Sequence, residues 1–250
     1  MTSIPVGAFI FDMDGTLVDN MPYHTRSWLK LFAELGVEMT PARLDHLMGS
    51  RTTPELLRHV LGERISEAEI QAYSQRKEAI YRAEYGPHLE AIKGVPRFLQ
   101  NVQRLDLSMA VATSAGGRNI DFILGGLGIK TYFDVVVGGD DVPQGKSGPE
   151  LYLVTAQKLG MCPEQCLVFE DSRSGIEAAR LAGMRVIVVA TNPRAEQFRS
   201  LPSVIEVVGD FAQLEPEDLV LLTGALARQK SMDSMPTDTA PQASLDQKAE

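Results

Sequence analysis

Residues 6–16 read Val6-Gly7-Ala8-Phe9-Ile10-Phe11-Asp12-Met13-Asp14-Gly15-Thr16, and this stretch decides the fold. The run at 6–11 is short, rich in strand formers and apolar on both faces. That pattern belongs to a central strand of a parallel sheet, covered on both sides. It ends abruptly in Asp-x-Asp-Gly-Thr, which is loop chemistry.

Similar apolar runs recur at 107–112, 135–137, 166–169 and 186–190. Segments with apolar residues at helical spacing, 96–105, 118–127, 149–159 and 173–182, lie between and after them. Gly128, Gly160 and Gly183 stand where helices stop. The alternation predicts an α/β fold, a doubly wound parallel sheet with helices on both faces. A strand at 204–208 and a helix at 216–226 are expected to close it. Residues 19–89 break the alternation. They hold four helical segments (23–35, 41–48, 54–61 and 67–85) and no clear strand. The predicted organisation is a core of 1–18 and 90–227, an inserted helical domain of 19–89, and a polar disordered tail at 228–250.

The chain has 250 residues, 44% of them hydrophobic, enough for a packed core. Its net charge of -9 argues against a nucleic-acid partner held by phosphate contacts. A small phosphorylated substrate remains compatible, because local cations and a metal can reverse the field inside one cleft. Cys162 and Cys166 have no second Cys or His cluster, so neither a zinc site nor a disulfide framework is expected. The start of the chain lacks a basic leader, and no apolar run is long enough to span a membrane. A cytoplasmic, monomeric protein without a membrane partner is expected.

In a parallel α/β sheet the site lies beyond the carboxyl ends of the strands. The first predicted strand ends in Asp12 and Asp14, and the second in Thr113 and Ser114. The loop after the third carries Lys146, and the fourth ends in Glu170 and Asp171. Carboxylates gathered in one cleft repel each other and need a cation. Oxygen-only ligands suit Mg²⁺. A carboxylate can attack phosphorus, and a second one can protonate the leaving oxygen and later activate water. A lysine, a hydroxyl and backbone N–H groups neutralise the transferring phosphoryl group.

Phe11-Asp12-Met13-Asp14-Gly15-Thr16-Leu17-Val18-Asp19 resembles the first motif of the haloacid dehalogenase-like superfamily. Thr113 in Val-Ala-Thr-Ser resembles the second and Lys146 in Gly-Lys-Ser-Gly-Pro-Glu the third. Val168-Phe169-Glu170-Asp171-Ser172 resembles the fourth. The resemblance spans residues 6–190 and implies a Rossmann-like core with a helical cap. It implies Asp12 as nucleophile and Asp14 as general acid/base. Mg²⁺ would be held by Asp12, the backbone carbonyl of Asp14, Asp171, and Glu170 directly or through water. Thr113, Ser114 and Lys146 would hold phosphoryl oxygens. The third motif departs from its usual Lys-Pro-x-Pro-Asp: Ser147 and Gly148 follow the lysine, so its loop lacks a residue of fixed φ.

The segment Tyr23-His24-Thr25-Arg26-Ser27-Trp28 is similar to the start of the cap in β-phosphoglucomutases and related sugar phosphatases. Gly49-Ser50-Arg51 and Arg76-Lys77 resemble cap positions that meet a distal phosphate or sugar hydroxyls. His24, Arg51 and Lys77 are therefore the cap candidates for substrate contact. The resemblance implies a Mg²⁺-dependent phosphatase acting on a small phosphorylated metabolite, a sugar phosphate above all. The rival is a β-phosphoglucomutase-type mutase. Thr16 favours hydrolysis, since such mutases commonly carry an apolar residue there. A dehalogenase or a catalytically silent scaffold fits less well, because every catalytic position is intact.

Overall fold

A computed structural model describes residues 6–48, 51–142 and 145–223. Gly49, Ser50, the end of the helix expected to 226 and the tail expected from 228 lie outside the described residues. Six strands, β1 Ala8–Phe11, β2 Ser108–Ala112, β3 Val135–Val137, β4 Cys166–Glu170, β5 Arg185–Val189 and β6 Val204–Val208, form one sheet in the order β3-β2-β1-β4-β5-β6. Every neighbouring pair is parallel. The chain leaves β1 in one direction and later returns on its other side, so a crevice opens beyond the ends of β1 and β4.

Side chains on β1 alternate between two different layers. Phe9 and Phe11 face an aromatic layer; Phe11 stacks on Phe169 with centroids 4.7 Å apart. Helix α5, Val95–Arg104, covers this face with Val95, Phe98, Leu99 and Val102, the stripe an amphipathic helix presents. Ala8 and Ile10 face the other layer, where α7, Glu150–Leu159, and α8, Arg173–Leu181, pack closely through small residues such as Ala156, Ala178 and Ala179.

The insertion folds as α1 Met21–Glu34, α2 Pro41–Met48, α3 Thr53–Leu61 and α4 Glu67–Tyr85 around Trp28, Leu31, Phe32, Leu44, Leu57 and Ile80. Ser66 caps α4, accepting a hydrogen bond from the Glu69 N–H. The last turn of α4 leaves this cluster: Tyr81 and Tyr85 pack into the core beside Met13, Leu17 and Val18. The helix read at 118–127 is α6, Gly117–Ile120, continued by a wider π turn, Asp121–Gly125. Ile123 and Leu124 enter the core, while Phe122 meets the rings of Tyr81 and Tyr85 edge-on. The chain is helical again at 216–223. No described helix is long and apolar enough to cross a membrane.

Candidate active site

Asp12 follows the last residue of β1 and is buried at the crevice. Its N–H donates to the Phe169 carbonyl on β4 at 3.0 Å, which fixes the backbone at the strand ends. Lys146 Nζ lies 2.6 Å from Asp12 Oδ1, and Thr16 Oγ1 donates to Oδ2 at 3.3 Å. Lys146 Nζ also pairs with Glu170 Oε1. Burial, the largest influence, raises the Asp12 carboxyl. Lys146 opposes it, the Glu170 charge adds to it, and the result is about 7. Burial depresses the Lys146 ammonium, but Asp12 and Glu170 outweigh that and hold it above its ordinary value.

Glu170, fully buried at the end of β4, is saturated with donors. Oε1 accepts from the Tyr152 hydroxyl at 2.7 Å as well as from Lys146. Oε2 accepts from the Asp171 N–H, the Ser172 N–H and the Ser172 hydroxyl at 2.9–3.0 Å. Ser172 in turn caps α8. The carboxylate lies against Gly175, where any Cβ would overlap it. Asp171 differs: among the described residues no hydrogen-bond donor reaches its carboxylate. Burial, then the charges of Glu170 and Asp12, raise it to about 8 despite Lys146. Gly15, at φ +85°, turns the chain back where a side chain would collide with Asp171.

Asp12, Glu170 and Asp171 bring carboxylate oxygens within 4.8 Å of one another. Three crowded, buried carboxylates, two of them raised by burial and then by their neighbours' charges, fit a hard dication bound by oxygen. Asp171 and Asp12 suit direct contact. Glu170, its oxygens already engaged, suits a role through water.

Asp14 turns the other way, toward the cap. Asn20 Nδ2 donates to Asp14 Oδ1 and, at 2.6 Å, to the Tyr81 hydroxyl. His24 Nε2 lies 3.6 Å from the same Asp14 oxygen. Burial raises Asp14, but nearby His24, the Asn20 hydrogen bond and Lys77 together carry it below its ordinary value. The two sequence candidates 53 positions apart meet here: Lys77 Nζ lies 2.7 Å from His24 Nδ1 and donates to Glu78 Oε1 at 2.8 Å. Lys77 is buried rather than on a solvated face, with its ammonium 5.5 Å from the Trp28 ring centre. Arg76, its neighbour, pairs with Glu34 on the cap surface.

A cleft of about 600 Å³ opens between cap and core, with Asp14, His24 and Lys77 on one side and residues 114–119 on the other. Across it, Asn119 Nδ2 donates to Glu78 Oε2 and Arg82 donates to Asn119 Oδ1, both at 2.6 Å. Thr113, buried, accepts the Ala115 N–H on its hydroxyl oxygen and keeps its own hydrogen to donate. Ser114 is exposed at the cleft edge. Arg51 lies farther out on the cap, its guanidinium 3.4 Å from the Leu47 carbonyl. Asn20, Tyr81, Glu78, Arg82, Asn119 and Tyr152 were not singled out by the sequence. Each acts through a partner remote in the chain. The one local signal is that Asn20 directly follows the first motif.

A family model described as haloacid dehalogenase-like hydrolase matches residues 9–189. A fructose-1-phosphate phosphatase, YqaB, of Escherichia coli K12 is 33% identical over 72% of this chain and 94% of its own. A phosphorylated carbohydrates phosphatase of Thermotoga maritima is 34% identical over 72% and 83%. The crystal structure of a β-phosphoglucomutase from Clostridium difficile superposes with a TM-score of 0.76 at 25% identity, covering 88% of this chain and 98% of its own. The chain belongs to the haloacid dehalogenase-like hydrolases. Within them it is a phosphoric monoester hydrolase.

Proposed function

We propose that the protein is a Mg²⁺-dependent phosphatase of small phosphorylated sugars, working through a phosphoryl group carried on Asp12. The observation that carries this reading is the grouping at the β1–β4 crevice. A buried Asp12 sits against Lys146 and within carboxylate reach of Asp171, beneath a cleft whose wall carries Asp14. The carbohydrate phosphatases among its relatives support the substrate class.

Asp12, Asp171 and, through water, Glu170 would hold Mg²⁺, which when bound draws charge from the phosphoryl oxygens. An Asp12 carboxylate oxygen attacks phosphorus, and the bond to the sugar oxygen breaks. Asp14, ionised at rest, takes up a proton as the negative phosphoryl group enters beside it and gives that proton to the leaving oxygen. Water then attacks the phosphorus, Asp14 takes its proton, and the Asp12–phosphorus bond breaks to release phosphate. Lys146 and Thr113 hold the equatorial oxygens through both steps. The cap excludes bulk water while His24 keeps Asp14 facing the cleft.

The testing experiment is a panel of hexose and pentose monophosphates with Mg²⁺, followed for free phosphate and for isomerised sugar phosphate. Phosphate release from several monophosphates, with no bisphosphate activator, is expected. β-Glucose 1-phosphate converting to glucose 6-phosphate much faster than it yields phosphate would replace this reading with the mutase.

A further inference from the structure

Tyr152 has no place in that scheme, yet it sits at its centre. It lies on the first turn of α7 with its side chain fully buried. Its hydroxyl donates at 2.7 Å to Glu170 Oε1, the same oxygen that pairs with Lys146 Nζ. The opposite oxygen of Glu170 is held by two N–H groups and a hydroxyl from residues 171 and 172. Glu170 therefore cannot rotate without breaking bonds on both sides. Lys146 is less well fixed by its own backbone. It sits in a short turn, Gly145–Ser147, with φ of -96° and ψ of 21°, outside helical geometry. Gly148 just beyond places little limit on the chain. What defines the ammonium is its tip, between Asp12 and Glu170.

We infer that Tyr152 is a positioning residue for Lys146, acting through Glu170. Its hydroxyl takes up part of the acceptor capacity of Oε1, so the ammonium is shared between Glu170 and Asp12 rather than captured by Glu170. The phenol also ties α7 to the end of β4, so the lysine loop and the carboxylate that receives it are held in one register. Without the hydroxyl, Oε1 has Lys146 as its one remaining donor, and the ammonium moves away from the place where the phosphoryl group sits.

The inference rests on the proposed roles of Asp12 and Lys146, and its test separates the two. Tyr152→Phe keeps the ring and removes the hydroxyl. With p-nitrophenyl phosphate and Mg²⁺, kcat is expected to fall about tenfold while KM changes less than about twofold, because the lost alignment matters most as charge develops. In a Glu170→Gln background the same change is expected to have less than about a twofold effect. Thermal melts in EDTA give a readout that needs no metal or turnover. Tyr152→Phe should lower the melting temperature by about 2–4 °C, and by clearly less once Glu170 is replaced. An unchanged kcat in folded Tyr152→Phe, or additive effects across the cycle, would overturn the inference alone. Full activity in Asp12→Asn would overturn both it and the scheme it rests on.

Discussion

The two sides of the cleft hold their polar groups by different means. On the core side, Glu170 receives five donors, two of them backbone N–H groups at the start of a capped helix. Asp12 hangs from a strand end bonded to β4. On the cap side the order is carried by side chains alone: Lys77 to His24 and Glu78, Asn119 to Glu78, Arg82 to Asn119. The bonds of Asn119 join the insertion to the core, while the carboxylates are held within the core itself. The carboxylate cluster is tied into the backbone of the sheet, whereas the opposite wall of the cleft depends on side chains brought together from distant parts of the chain.

The largest effect that can break this contrast is Asp12→Asn. Phosphate release should fall by at least about 10³-fold. Thermal stability without metal should not fall, since a crowded buried carboxylate is removed. Retention of a tenth of wild-type turnover would remove Asp12 from its role. Metal dependence comes next. Activity should vanish in EDTA and return with Mg²⁺, with Ca²⁺ inhibiting because it accepts looser geometry.

The pH dependence of the metal-free fold follows with a definite sign. Asp12 and Asp171 are raised to about 7 and about 8 from 3.8, so between these values the folded state binds more protons than the unfolded one. Stability without metal should therefore decline as pH rises from about 4 through 8. The rise in melting temperature on adding Mg²⁺ should be larger at pH 8 than at pH 5, because binding displaces those protons. Equal rises at the two pH values would show that Asp12 and Asp171 are not held protonated in the metal-free fold.

Changes on the cap side should be smaller. His24→Ala should lower kcat about tenfold by letting Asp14 swing out of line. It should also move the Asp14 titration upward, as followed by carboxyl NMR, since His24 holds it down. Lys77→Ala should raise KM by about 3–10-fold with less change in kcat, as expected when substrate binding is lost more than transition-state contacts. A kcat loss as large as that for Asp12→Asn would erase the division of labour. The smallest effect belongs to Arg194, which reaches from the core loop to Asp45 on α2 at 3.2 Å with both side chains exposed. Such a pair contributes less than about 1 kcal/mol. Arg194→Ala should change kcat/KM by less than about threefold, and only at low salt.

The core side was legible in the sequence because each of its groups stands where a strand ends. Asp12, Thr113, Glu170 and Asp171 need only the strand pattern and the rule that sites lie beyond parallel strand ends. Lys146 needed the motif as well. The cap side was legible only as isolated residues. His24 and Lys77 could be named, but nothing local says that positions 53 apart share a hydrogen bond. Tyr152 lies in a segment read only as helical; its hydroxyl finds Glu170 only in three dimensions. The π turn escaped because the apolar residues at 120, 123, 124 and 127 also fit an ordinary helix. Within it, Phe122 packs against Tyr81 and Tyr85, which arrive from α4.

The strand order has a consequence for how the chain is made. Ala8 on β1 pairs with Ser108 on one side, 100 residues later, and with Cys166 on the other, 158 residues later. Contacts so distant in sequence close slowly and only after the intervening chain exists. During synthesis from the N-terminus, the four-helix insertion can bury its own cluster of Trp28, Phe32 and Leu57 long before β1 has any partner. Asp12 emerges among the first residues, yet the apolar strand beside it can gain β2 on one side while still lacking its other neighbour until β4 leaves the ribosome. Nascent chains halted before residue 166 should therefore show a protease-resistant insertion joined to a protease-sensitive β1, and resistance at β1 should appear in one step once β4 and α8 are exposed.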